Sequence, residues 1–212
     1  TYKLALFRAL AEISMTRYNQ VRWAPGGKVA IPITAVAQKW LEFYWPIVAS
    51  EEFIPQIQGE HPESTKPIAF RYLLEELIQR FKFKGGLPAF LLAERTKSLG
   101  SDERNLYKKL IAKLCQTIRA GPVTYSGGGG TPQAVFGYDL QGGYVLMPKE
   151  IWQDFCLMGS WIRDATILRW AELTERLAKR EIPAGKVIGL LIEDPLPERE
   201  AADALAVFKN TG

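Results

Sequence analysis

Histidine occurs once in these 212 residues and cysteine twice, and no apolar run approaches the roughly 20 residues that a membrane-spanning helix needs. A His/Cys metal centre is therefore excluded by count. Cys115 and Cys156 fit neither a disulfide framework nor a zinc-ligand spacing, which points to a reducing cytoplasm. The lone His61, in the loop QGEHPES, has a side chain suited to proton transfer near neutrality. No serine or cysteine has a local reason to pair with it, and it reads as an exposed loop histidine. The carboxylate pairs Glu51-Glu52, Glu75-Glu76 and Glu193-Asp194 are adjacent residues, which on a helix point about 100° apart and do not share a site. No complete catalytic constellation is present.

What the chain has is apolar content and a charge skew. At 47% hydrophobic residues it can bury a sizeable core. Its net charge of +4 is unevenly spread. Residues 1–120 hold 18 Lys/Arg against 11 Asp/Glu, while residues 121–212 hold 9 against 12. A net +7 on the first part suits a polyanion partner.

Periodicity predicts a helix over 2–18 with Leu4, Phe7, Ala11 and Met15 along one side, beside Leu10 and Ile13. In NQVRWAPGGKVAIPI, Pro-Gly-Gly separates two short β-prone runs. Thr34 is a candidate cap for a helix through AVAQKWLEFYWPIV, which Pro46 should kink or end. An extended acidic loop to about Glu63 follows, then a helix opened by Pro67 and broken by Gly85, Gly86 and Pro88. Ser101 should cap a helix reaching residue 119, with Tyr107, Ile111, Leu114 and Ile118 buried. Its cations Arg104, Lys108, Lys109, Lys113 and Arg119 read as a solvated face.

The four glycines 127–130 lack the lysine and hydroxyl of a phosphate-binding loop and sit between VTY and AVFGY. They read as a hairpin tip, with Gly142-Gly143 a second turn, in a β-meander over about 122–147. Pro148 opens a long helix whose predicted stripe is Ile151, Phe155, Ile162, Ala165 and Leu168, with Gly159 as a point of bending. Helices are expected over 183–192 and 197–208. The fold class is α+β, mainly α-helical with a small antiparallel β-meander. A basic helical part (1–120) with a helix-turn-helix-like start and a second part (121–212) are expected to form one compact unit.

Candidate nucleic-acid-binding residues are Arg17, Arg22, Lys28 and Lys39, around the first turn and second helix, and Arg80, Lys82 and Lys84 of RFKFK. The RFKFK alternation offers phosphate contacts and stacking faces; it is also the pattern of a half-buried strand with phenylalanine inward.

Taken together, YKLALFRALAEI, IPITAVAQKWLEFYWPIV, the long stretch from GYVLMPKEIW to AELTERL, and LIEDPLPEREAADALAVFKNTG resemble the N-terminal region of a group of bacterial HNH-endonuclease-domain proteins. Most specific are WLEFYWP (Trp40 to Pro46), WIRDATILRW (Trp161 to Trp170) and Pro197-Glu198-Arg199. The resemblance implies a domain that binds and positions double-stranded DNA for a restriction or phage-defence nuclease. The histidine base, the metal-ligand acid and a divalent ion, Mg or Mn, would belong to a module following Gly212. No catalytic or metal residue carries over. Trp40, Tyr44, Trp45, Trp161, Asp164 and Trp170 match the group's pattern and read first as packing residues. The rival from another class is a protein-interaction module, or a homo-oligomer, in which the aromatics of WLEFYWP and LRWAEL face a partner.

Overall fold

The computed structural model describes residues 1–16, 20–126 and 135–192. Seven α-helices surround a small sheet among these residues: α1 (Tyr2–Thr16), β1 (Arg22–Ala24), β2 (Lys28–Pro32), α2 (Ile33–Ala49), α3 (Arg71–Phe81), α4 (Gly86–Arg95), α5 (Ser101–Ile118), β3 (Gly137–Asp139), β4 (Tyr144–Pro148), α6 (Lys149–Leu177) and α7 (Ala184–Ile192). The fold is α+β and mainly helical, as the sequence predicts. No described helix is long and apolar enough to cross a membrane.

The sheet is antiparallel, in the order β1-β2-β4-β3. Gly26 and Gly27, both at positive φ, make the β1–β2 turn that Pro-Gly-Gly predicts. The register pairs Ile31 with Val145 and Val29 with Met147, so these four buried side chains share the inward face. Arg22, Lys28, Ala30 and Leu146 share the other. VTY does not form the first strand of a meander: residues 119–123 make a π-helical turn and β4 pairs with the N-terminal hairpin instead. The glycine run 127–130, Arg17 and the helix expected over 197–208 lie outside the described residues.

Each strand pair feeds a helix directly. Pro32 is the residue preceding α2, so Thr34 sits inside the helix and caps nothing. Nor does Pro46 end it; α2 continues to Ala49, with Trp45 and Ile47 buried on either side of the proline. Tertiary packing here outweighs the lost backbone hydrogen bond. Pro67 lies in the preceding loop and α3 starts at Arg71. Gly85, Gly86 and Pro88 end α3 as expected and then open α4, a helix that the sequence reading lacked.

Bound on both sides by the same logic, α1 buries Ala5, Leu6, Ala9, Leu10 and Ile13, leaving Phe7 and Met15 partly exposed. In α5 the buried line is Leu106, Leu110, Leu114 and Ile118, with Tyr107 and Ile111 at its margin. In α6 the predicted stripe is out of phase. Trp152, Phe155, Ile167, Trp170 and Ala171 are buried, whereas Ala165 and Leu168 are exposed. A break in the helix explains the slip: Met158 has non-helical φ/ψ (−115°, 16°), next to the predicted Gly159. The Ser14 hydroxyl lies 2.9 Å from the Phe155 carbonyl there. A Cβ on Gly159 would come within 2.9 Å of Met15 Cγ, so α1 crosses α6 at the only kind of residue that lets it this close.

The core centres on aromatic rings. Tyr44 lies 4.9 Å from Phe70, 5.0 Å from Trp170 and 5.7 Å from Trp40, centroid to centroid. Trp161, by contrast, is 76% exposed. Replacing Trp170 by Ala should cost about 3–5 kcal/mol in chemical denaturation, and Trp161→Ala less than about 0.5. Equal losses for the two would contradict this placement of α6.

The loop between α2 and α3 is anchored by a buried acid. Glu60 accepts hydrogen bonds from the Gln56 and Ile68 backbone amides (2.6 and 2.9 Å) and from Arg71 Nε (2.8 Å). Arg71 also donates to the Ile54 carbonyl, and Gln56 Oε1 accepts from Trp170 Nε1 at 2.8 Å. Glu60→Ala removes the buried partner of Arg71, leaving it only the partly exposed Glu75 at 3.8 Å, and should destabilise the fold by about 3–5 kcal/mol. A loss below about 1 kcal/mol would show that the loop is held by something else.

Candidate nucleic-acid interface

Cations are only available to a polyanion if the protein has not already neutralised them. Lys39 is neutralised: its Nζ lies 2.7 Å from Glu42 and 3.2 Å from Glu12, and its side chain is 13% exposed. Glu12 in turn takes Arg8 Nε at 3.0 Å, and Arg8 lies 3.8 Å over the Phe43 ring and donates to the Leu191 carbonyl at the end of α7. Burial pushes the Arg8 guanidinium down from its ordinary value, opposed by Glu12. Lys39 thus belongs to an internal charge network that joins α1, α2 and α7.

The RFKFK segment is not a strand. Arg80 and Phe81 end α3 and the next residues form turns. Phe81 is buried while Phe83 is 94% exposed, so the two rings share no face. Arg80 pairs with Glu76 at 2.6 Å, one turn back on α3. Lys84 pairs with Glu103 at 2.6 Å, holding the first turn of α5 and depressing the Glu103 carboxyl below its ordinary range. Lys82 is exposed and has no carboxylate partner among the described residues. Thus the three cations adjacent in sequence are separated in their commitments.

Arg22 and Lys28 are brought together by the sheet. The register sets Arg22 opposite Ala30 and Lys28 opposite Ala24, placing both cations on the outward face. Arg22 lies 5.8 Å over the Tyr144 ring of β4. Both cations are exposed and unpaired among the described residues.

A second basic surface lies on α5, which packs on α2 and α3 through its apolar line and leaves the opposite side open. From Arg104 to Arg119 it carries five cations and no acid. Arg104, Lys108, Lys109 and Arg119 are exposed and Lys113 half-exposed, and none makes an ion pair with a described residue. Arg104 donates to the Leu99 carbonyl, and Arg119 lies 5.7 Å over the Tyr138 ring. Four cations of other helices are paired within one turn: Arg8–Glu12, Lys39–Glu42, Arg80–Glu76 and Arg169–Glu172. The signal is present in the sequence as a stretch of about four turns without a compensating carboxylate at i±3 or i±4.

The chain belongs to the DUF8808 family. The family's sequence profile, a domain of unknown function, matches residues 1–191 and so takes in both basic surfaces and α6. No curated protein and no solved structure matches the chain.

Among the described residues of this DUF8808 chain, no three His, Cys, Asp or Glu side chains are grouped to hold a metal ion. His61 is exposed in its loop. Trp40, Phe43, Tyr44, Trp45 and Trp170, the aromatics of WLEFYWP and the tryptophan of LRWAEL, are buried in the core and not at the surface. Trp161 and Asp164 of the same motif region are exposed.

Lys39→Met leaves Glu12 and Glu42 side by side without their shared cation. It should cost about 1–3 kcal/mol of stability and leave DNA affinity at constant salt unchanged. A fall in affinity without a fall in stability would return Lys39 to the interface.

Proposed function

We propose that this DUF8808 chain is a module that binds and positions double-stranded DNA, working in the cytoplasm. The observation that carries it is the acid-free face of α5, with its five cations outside any ion pair among the described residues. Like charges at i and i+4, as in Arg104/Lys108 and Lys109/Lys113, weaken a helix by a few tenths of a kcal/mol each. A phosphate backbone relieves that repulsion and releases its condensed counterions. Arg22 and Lys28 on the outward sheet face, and Lys82 after α3, supply further unpaired charge. The resemblance to HNH-endonuclease-domain proteins supports the same reading and makes the natural partner a metal-dependent nuclease module of a restriction or phage-defence protein. In this reading the cutting module and its divalent ion belong to a segment other than the one described.

A second reading rests on α6. Leu157, before the break at Met158, and Trp161 and Leu168, at helical spacing after it, are 83%, 76% and 52% exposed, a surface suited to protein contact. The two readings separate by salt.

In fluorescence-anisotropy titrations on duplex DNA, log affinity should fall with log salt with a slope of roughly −3 to −5. Lys108→Gln with Lys109→Gln should flatten the slope by about 2, and Arg22→Gln with Lys28→Gln by a similar amount. Arg80→Gln should change it little, since Arg80 already pairs with Glu76. Absence of binding at about 50 mM salt would leave the α6 surface and the protein-interaction reading.

A further inference from the structure

The exposed side of α5 is more than a row of charges. At 100° per residue, Asn105, Lys109, Ala112, Gln116 and Arg119 fall on one line along its outer side, and Lys108 and Lys113 flank that line on opposite sides. Asn105, Lys109, Ala112, Gln116 and Arg119 are all exposed. We propose that α5 is a recognition helix that enters the major groove of DNA and reads base edges there. The inference rests on the DNA-binding reading and adds sequence specificity to it.

Three features converge. First, the line carries the side chains whose hydrogen-bonding groups match base edges bidentately: asparagine and glutamine match adenine, and arginine matches guanine. A helix serving only to attract phosphates needs none of the amides. Second, the centre of the line is Ala112, whose methyl group lets the helix axis approach a groove floor and can itself meet a thymine methyl. Third, the lysines stand to either side, where the two phosphate walls of a groove about 12 Å wide would lie. The line from Asn105 to Arg119 is about 21 Å long at 1.5 Å per residue, comparable to six base-pair steps of 3.4 Å.

The acids near this line are accounted for. Asp102 and Glu103 are confined to the first turn of α5, and Glu103 is taken by Lys84 and by the Gly100 amide. Glu94 of α4 faces Tyr107, on the packed flank of α5, at 3.4 Å. The remaining sixteen residues of helix and turn carry no negative charge toward the groove. The helix is also held firmly enough to insert: Glu103 closes its N-terminal cap, and Tyr107 binds Gln38 of α2 at 3.2 Å.

The test is selection from a pool of randomised DNA duplexes by the full 212-residue chain, followed by titration of the enriched duplex. The expected result is a short enriched motif bound at least ~10-fold more tightly than its scrambled version, the discrimination of a good bidentate pair or two. N105A with Q116A should abolish that preference while the salt slope stays as in the wild type. Both positions are exposed and alanine favours helix, so the variant folds. Duplex RNA of the motif's sequence should compete poorly, because its major groove is too deep and narrow for a helix. Salt-dependent binding without any enriched motif, a preference that survives N105A/Q116A, or equal competition by RNA each overturns the recognition helix and leaves the DNA-binding reading standing. No binding to any duplex overturns both.

Discussion

A single carboxylate, Glu60, decides whether the long connection between α2 and α3 is a loop or part of the core. An irregular segment of some twenty residues leaves backbone amides without helical or sheet partners, and burying them unpaired is costly. Glu60 answers two of those amides directly and brings in Arg71, which answers a carbonyl. Gln56, held in that loop, then receives the indole N–H of Trp170. So α3, the loop and α6 are joined around one ion pair whose side chains are 5% and 0% exposed. The pair is expensive to desolvate, and its worth lies in the hydrogen bonds it closes as much as in its charge.

From that anchor the aromatic layer follows. Trp170 is fixed by Gln56, Tyr44 packs against it, and Phe70 precedes the first residue of α3. The helices α2, α3 and α6 therefore meet at rings rather than at aliphatic side chains. The α1–α6 crossing is set separately, by Gly159 against Met15 and by Ser14 near the Phe155 carbonyl. Those contacts bend α6 and turn Leu157 and Trp161 outward.

Local chemistry made much of this legible. Pro-Gly-Gly and Gly142-Gly143 announced two turns, and the apolar spacing announced most of the helices. What was not legible depended on partners distant in sequence. Nothing in YVLMP says that it pairs with KVAIP as well as with the strand just before it, since its alternation suits an edge strand and a central one alike. The phase of α6 is not legible because a break at Met158 resets the helical count, and a uniform 3.6-residue period carried across it places Ala165 and Leu168 inward, although Trp170 is buried as its size suggests. RFKFK alternates like a strand, yet the helix preceding it is already committed by Leu74, Leu77 and Ile78, which the core holds. Periodicity over five residues cannot overrule packing over eleven.

The candidate interface shows the same division between what a residue type offers and what its neighbours leave it. Seven cations stood out in the sequence, and of the six within the described residues Lys39, Arg80 and Lys84 are taken by carboxylates. For an exposed pair this counts for little in stability, often less than 1 kcal/mol. It counts for more in binding, because a cation must give up its carboxylate before it can serve a phosphate, and the released acid then repels the same phosphate. Lys82, Arg22 and Lys28 keep no such partner among the described residues, and neither do the cations of α5. Charge density along a chain is thus a poor guide to an electrostatic surface. The distribution of opposite charges one helical turn away is the better one, and on α5 that distribution is one-sided for about four turns. A helix stabilised by its own pairs would not be built this way; one whose counter-charges arrive with a ligand would.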